Sequence, residues 1–270
     1  MKPAAFDYVR AEHLGEALEV LANEGSDARI IAGGQSLMPM LNMRLAKPNT
    51  LIDIMRVSEL ARIEHKAGTV TIGAAVRQAA LLDWPELGES LRLAALALPW
   101  AGHVQTRSRG TVCGSIAHAD PSAELPLVLC ALGGDVQLRN ARRRRRVAAK
   151  DFFSGMMATI RADDELIEAV SFPAHHKRCA FREVARRHGD FAIVACAAVA
   201  RGDGVRLAVG GVADMPVARD FPHLEASALD DALNAFAHDL DARDDVHATA
   251  RYRRELVRMI GRDLVREVLQ

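Results

Sequence analysis

The chain has 270 residues, 50% of them hydrophobic and 26% charged, which fits one large or two small folded domains and excludes a disordered or fibrous chain. Lys and Arg number 35, as do Asp and Glu, so the formal charge is zero and no overall field draws the molecule to nucleic acid or an anionic membrane. The longest wholly apolar run, Phe191 to Ala200, is about half of the roughly 20 residues that cross a bilayer, and Met1 to Arg10 lacks the apolar core of a secretion signal. A cytoplasmic protein with no transmembrane segment is expected. The four cysteines, at 113, 130, 179 and 196, form no C-x-x-C pair, so reduced thiols are expected and neither a protein-bound iron–sulfur cluster nor a structural zinc.

Taken in chain order, His13 to Asn23 sets Leu14, Ala17, Leu18 and Leu21 on one helical face, with Gly25 as a stop signal. Ala28 to Ala32 and Thr50 to Ile54 read as short buried strands around a break at Gly33 and Gly34. Val70 to Gly73 is a further strand. Val76 to Leu82 and Leu87 to Leu98 are helical, separated by Pro85, and a glycine-containing loop spans Gly102 to Ser115. Pro121 to Leu132 is helical, and Asp135 to Arg139 with Arg144 to Ala148 predicts a hairpin turning at Asn140 and Ala141. Beyond Phe152, the segments Glu165 to Phe172, Ala180 to Ala185, Ala192 to Arg201 and Val205 to Val212 predict an antiparallel meander. From Ala226 the pattern is helical, broken by the acidic stretch Asp239 to Asp245, with a last helix over Ala248 to Leu269. The class is α+β, with a domain boundary near Pro173 to Arg178.

Two loops carry chemistry. Ala32-Gly33-Gly34-Gln35-Ser36 follows a strand and precedes a helical stretch, so its glycines let backbone amides approach an anion closely. Taken alone, the same pair of glycines equally describes a tight turn. The second loop is Arg109-Gly110-Thr111-Val112-Cys113-Gly114-Ser115, followed by Ile116 through Pro126.

With both loops in order, the sequence resembles the flavin-binding medium subunit of the molybdenum hydroxylases, the xanthine dehydrogenase and carbon monoxide dehydrogenase family. The resemblance runs over nearly the whole chain. It rests on A-G-G-x-S-L in the first loop, T-[IV]-G-G-[SND] in the second, and an acidic residue, Glu124, nine positions after the second loop. Asp151-Phe152-Phe153, Glu165-Leu166-Ile167 and Phe181 through Val194 match further. It implies a two-part FAD-binding domain of PCMH type over 1–175, with parts of about 1–55 and 56–175. A C-terminal flavoprotein domain of antiparallel strands then helices is implied over 176–270.

The resemblance also implies bound FAD. Ala32, Gly33, Gly34, Gln35 and Ser36 would lie on one side of its diphosphate and Thr111, Val112, Gly114 and Ser115 on the other. Glu124 would face the ribityl hydroxyls, although a glutamate early in a helix is also favoured by the helix dipole. Ile167 and Arg182 align with positions near the flavin ring, as do Asp190 and Phe191. Apart from the resemblance, His103 and Arg107 to Arg109 precede the second loop, where they either help to hold it or are surface residues with no such role. Cys113 departs from the family's glycine. If that position has φ above zero or touches phosphate, its Cβ costs about 1 to 2 kcal/mol and weakens flavin binding.

The implied function is electron transfer. A molybdopterin-binding large subunit oxidises the substrate, a [2Fe-2S] small subunit relays electrons, and FAD on this chain passes them to an external acceptor. No catalytic acid, base or nucleophile is required of the chain itself. A free-standing FAD-dependent oxidoreductase, or a non-catalytic module with a degenerate flavin site, remain open as alternatives. The arginines at 142 to 146 lie in the predicted hairpin without interleaved aromatic residues, which argues against nucleic acid.

Overall fold

The computed structural model describes residues 1–174 and 178–270. The helix Leu14–Glu24 buries Leu14, Ala17, Leu18 and Leu21, and Gly25 ends it at φ 54°. It packs on a three-stranded parallel sheet in which Thr50–Asp53 is central, flanked by Ala28–Ile31 and Asp7–Arg10. The edge strand Asp7–Arg10 is not legible in the sequence, because it is short, polar and largely exposed. Ile54 and Ala28 join the helix in the core beneath this sheet.

A five-stranded antiparallel sheet follows. Its order is Ile63–Lys66, Thr69–Gly73, Leu166–Pro173, Asp135–Arg139, Arg144–Ala148. The segment expected to open the C-terminal meander is therefore the central strand of this earlier sheet, paired with chain about 100 and 30 residues away. The hairpin forms as predicted, and Asn140 Oδ1 closes its turn by accepting from the amides of Arg142 and Arg143, both at 2.9 Å. Its arginines meet carboxylates: Arg144 and Arg139 reach Glu168, Arg145 reaches Glu165, and Arg146 reaches Asp135.

Two helical expectations change. The stretch Leu87 to Leu98 is divided at Leu91, with φ −136°, into Leu87–Ser90 and Arg92–Ala97. The stretch from Gly102 to Ser115, expected as a loop, contains the helix Val104–Arg107 and the start of Val112–His118, the latter capped by Thr111.

Every residue of the helix Glu124–Leu132 is buried, as its apolar sequence requires of a helix enclosed on all sides. It packs on the strands Val194–Arg201 and Gly204–Gly210 of a four-stranded antiparallel sheet, completed by Cys179–Val184 and Val217–Phe221. On one face of that sheet Ala195, Ala197 and Val199 join the core of the N-terminal half. On the other, Val194, Cys196 and Ala198 meet the helices Ala226–Asp239 and Ala250–Leu269. The alanines keep side chains short enough for helices to cover both faces. The predicted boundary near Pro173 to Arg178 includes residues 175–177, which lie outside the described residues.

Candidate cofactor site

The two glycine loops touch. A Cβ on Gly33 would lie 2.1 Å from the carbonyl oxygen of Arg109 and 2.6 Å from Gly110 Cα, so only glycine lets the loops close on each other. Gly34 has φ +69°. The second loop is pinned from below: Val112 donates its amide to the Val76 carbonyl at 3.0 Å, and Gln78 donates its own to Gly110 at 2.8 Å. Thr111 Oγ1 accepts from the Gly114 amide at 3.0 Å, so this hydroxyl caps its own helix.

Between and beyond the loops runs a cleft of about 990 Å³, at the upper end of the range for small-molecule sites. Ala32, Gly33, Gly34, Gln35 and Ser36 line one side, and Thr111, Gly114 and Ser115 the other. Glu124 and Ile167 line its walls. The second half of the chain supplies Arg186, Asp190, Phe191 and His247 to the rim. Gly189, at φ +86°, brings this rim against the His103 ring, which a Cβ would meet at 2.6 Å. Arg107 Nη1 donates to the Gly102 carbonyl at 2.7 Å, holding the turn that carries His103.

Burial pushes the Glu124 carboxyl up to about 7; Asp120 adds to the rise, while the residue's own amide and Arg107 oppose it. Arg253 on the last helix is buried and donates to the carbonyls of Ile193 and Gly211, both at 2.6 Å, and to Asp245 at 2.5 Å. Asp245 in turn accepts from the amide of His247, so the last helix fixes two cleft-lining segments.

Not every expected residue comes to the cleft. Val112 is fully enclosed beneath the loop. Arg182 lies elsewhere, on the strand Cys179–Val184, where it pairs with Asp263 at 3.1 Å and Glu267 at 3.2 Å. Alternation along the strand decides this, since Arg182 faces the last helix. Cys113 is in a helix, buried, with its Sγ donating to the Ile72 carbonyl at 3.4 Å, and it has no positive φ. It is among the residues that line the cleft, and with no positive φ it carries no left-handed backbone strain. Burial raises the thiol pKa of all four cysteines.

Local sequence gave no signal for Gln78, Thr106, Thr159, Arg161 or His247, all of which line the cleft. An isolated bridge between Arg77 and Thr111 brings Gln78 there.

A family model described as the FAD binding domain in molybdopterin dehydrogenase matches residues 4–175. A second, the CO dehydrogenase flavoprotein C-terminal domain, matches residues 179–268. The chain belongs to the FAD-binding medium subunits of the molybdenum hydroxylases. It is 38% identical to the 6-hydroxypseudooxynicotine dehydrogenase complex subunit alpha of Paenarthrobacter nicotinovorans, over 98% of this chain and 95% of that one. It is 37% identical to the nicotine 6-hydroxylase medium subunit of the same organism, over 98% of each. Among solved structures, carbon monoxide dehydrogenase from Hydrogenophaga pseudoflava superposes with a TM-score of 0.92 at 30% identity, covering 99% of this chain and 98% of that chain. Quinoline 2-oxidoreductase from Pseudomonas putida 86 gives 0.92 at 33%, covering 100% and 99%.

The medium subunit's cofactor is FAD, and the residues present fit it. The cleft is large enough, the two loops in it meet where a Cβ at Gly33 would displace backbone, and Ser36 and Ser115 line it. Gln78 also lines it, and its buried Oε1 has no hydrogen-bond partner among the described residues. Among those residues no group of His, Cys, Asp and Glu is arranged to hold a metal ion, and no helix is long and apolar enough to cross a membrane.

Proposed function

We propose that the chain is the electron-transfer subunit of a molybdenum hydroxylase complex, receiving electrons from a [2Fe-2S] small subunit and delivering them to an external acceptor, while a molybdopterin-binding large subunit oxidises the substrate. The contact of Gly33 with Arg109 carries this reading, because it joins two loops into one backbone-lined cradle in the cleft. When bound, FAD supplies the redox chemistry, accepting electrons singly or in pairs.

The chain's own part is to bind and orient. Ala32, Gly33, Gly34, Gln35 and Ser36 present amides and a hydroxyl to the diphosphate from one side, and Thr111, Gly114 and Ser115 from the other. Val112 anchors its loop from beneath. Glu124 accepts hydrogen bonds from sugar hydroxyls, and Ile167 gives the ring an apolar wall. Arg182 serves the last helix and not the cofactor. In this reading 1–175, with parts of about 1–55 and 56–175, is the FAD-binding domain and 176–270 closes the cleft. The site of action is the cytoplasm.

The test is reconstitution. The isolated chain should carry one FAD and be inert toward organic substrates, and adding molybdenum and iron–sulfur subunits should restore electron flow to a soluble acceptor. Turnover of an organic substrate by the chain alone, or no association with such partners on co-expression, would overturn the proposal.

A further inference from the structure

The strand Leu166–Pro173 enters the cleft with Leu166 and Ile167, and the turn before it, 160–165, is fixed by hydrogen bonds of its own. Ile160 donates its amide to the Phe152 carbonyl at 3.0 Å, Glu165 donates to the Ala162 carbonyl at 3.0 Å, and Arg145 donates to the Ile160 carbonyl at 3.0 Å. Arg161 lies in this turn and lines the cleft. Its Nη1 donates to the carbonyls of Ala162 and Glu165, both at 2.6 Å, and of Asp163 at 3.4 Å. Nε and Nη2 have no hydrogen-bond partner among the described residues, so a full positive charge and three N–H donors are left at the cleft wall.

No carboxylate pairs with Arg161 among the described residues, because the acids that follow it in the chain are engaged elsewhere. Both oxygens of Glu165 accept from Arg145 at 2.6 Å. Asp164 accepts from Asn140 at 2.9 Å, and Asp163 Oδ1 stands 3.9 Å from Arg29. Arg29 and Arg186 also line the cleft, but Arg29 has Asp163 beside it and Arg186 is exposed on the rim. A partly buried guanidinium held only by neutral carbonyls carries a desolvation cost that an anion entering the cleft offsets.

We propose that Arg161 stabilises the negative charge of the reduced flavin ring and so raises the potential at which the bound cofactor takes electrons. The assignment rests on the reading of Ile167 as the wall of the ring, since Arg161 holds the carbonyl of Glu165, two residues before that wall. Arg182, aligned with a position near the ring, is paired with Asp263 and Glu267 and leaves this charge to another residue. The diphosphate has the amides of two loops, and neither loop is hydrogen-bonded to the turn 160–165 among the described residues. On reduction a neutral ring takes two electrons from the [2Fe-2S] subunit of the proposed complex and one proton from water, and becomes an anion. A fixed guanidinium favours that product over the oxidised ring and, because backbone holds it, needs no rearrangement as the charge appears.

The potential of FAD on the full chain, titrated with dithionite against a reference dye, is the test. In the wild type it should lie above that of free FAD in the same buffer. Arg161→Gln should bind reduced FAD about tenfold more weakly relative to oxidised FAD, a fall of about 30 mV for a two-electron couple. Arg161→Lys, which keeps the charge, should stay closer to the wild type than to Arg161→Gln. ADP, which has the diphosphate but no ring, should bind all three proteins with equal Kd by calorimetry. A wild-type potential below that of free FAD would overturn the proposal without any variant. An unchanged potential in Arg161→Gln, or equal falls in both variants, would also overturn it, the second because Arg161 would then act only by holding the turn. Weaker ADP binding by Arg161→Gln at an unchanged potential would move Arg161 to the diphosphate. A wild type that holds no FAD would bring down the cofactor reading and this role together, whereas a wild type that holds FAD at a potential insensitive to Arg161 would bring down the role alone.

Discussion

At Gly33 the cradle depends on the absence of one methyl group. The sequence reads the glycine as freedom for the backbone, and the structure gives it a neighbour, the Arg109 carbonyl 2.1 Å from where a Cβ would sit. Alanine is therefore large enough to separate the loops, since backbone on the far side cannot swing away as a side chain can. Gly33→Ala should lose FAD by at least about tenfold in Kd, equivalent to about 1.4 kcal/mol, while the far-ultraviolet circular dichroism stays that of the wild type. Equal flavin content in the two purified proteins would contradict this. Cys113 reverses its expected sign. On sequence alone a glycine there relieves strain; in a buried helical position it removes a packed thiol and adds backbone freedom. Cys113→Gly should lower stability to urea by about 1 to 2 kcal/mol.

The strand Leu166–Pro173 and the residue before it are the clearest case at the level of elements. Glu165 is 1% exposed and takes its two strongest donors from Arg145 on the edge of the hairpin, so it ties the start of the central strand to the Arg-rich turn. Hydrogen bonds from Arg145, with the Ala162 amide and the charges of Arg145 and Arg143, hold its carboxyl below the usual range. A lowered pKa places the stabilisation above the unfolded value of about 4.5, and it is lost as pH falls through the folded one. Glu165→Gln should thus cost about 1 to 2 kcal/mol at pH 7, allowing for solvent around the guanidinium, and the gap from wild type should close below pH 4. Urea denaturation at pH 7 and pH 3.5 makes the comparison. A gap that stayed constant would mean that packing, not charge, is what the substitution disturbs.

Across the whole molecule the cleft is assembled from both halves. Arg186, Asp190, Phe191 and His247 reach it from beyond residue 178, and Arg253 fixes two of those segments from the last helix. A ligand touching both halves stabilises them together. FAD at a hundred times its Kd should raise the stability of the whole chain by about 2.7 kcal/mol, seen as a shift of several degrees in one cooperative melting transition. Separate melting of the two halves, with FAD moving only the first, would show that the second half does not contribute to the site. Exchange of the amide of Ile193 should slow when FAD binds, because that residue lines the cleft and its carbonyl holds Arg253.

Residues close together in the chain set most of the local elements and mark out the two loops. The helix Leu14–Glu24, the hairpin Asp135–Arg139 with Arg144–Ala148, and the buried helix Glu124–Leu132 follow from periodicity and turn residues, which act over a few positions. The glycine loops were legible because a cradle made of backbone needs particular residues at fixed spacing. Which sheet Leu166–Pro173 enters depends on the folded chain, because pairing across about 100 residues is set by what else must be covered and leaves no mark in the strand itself. The folded chain also decides which way Arg182, Glu183 and Cys113 point. A one-residue step along a strand changes the face, and motif spacing read along the chain does not record that step; Arg182 therefore joins the last helix, and Glu183 beside it lies on the opposite face with Ala195.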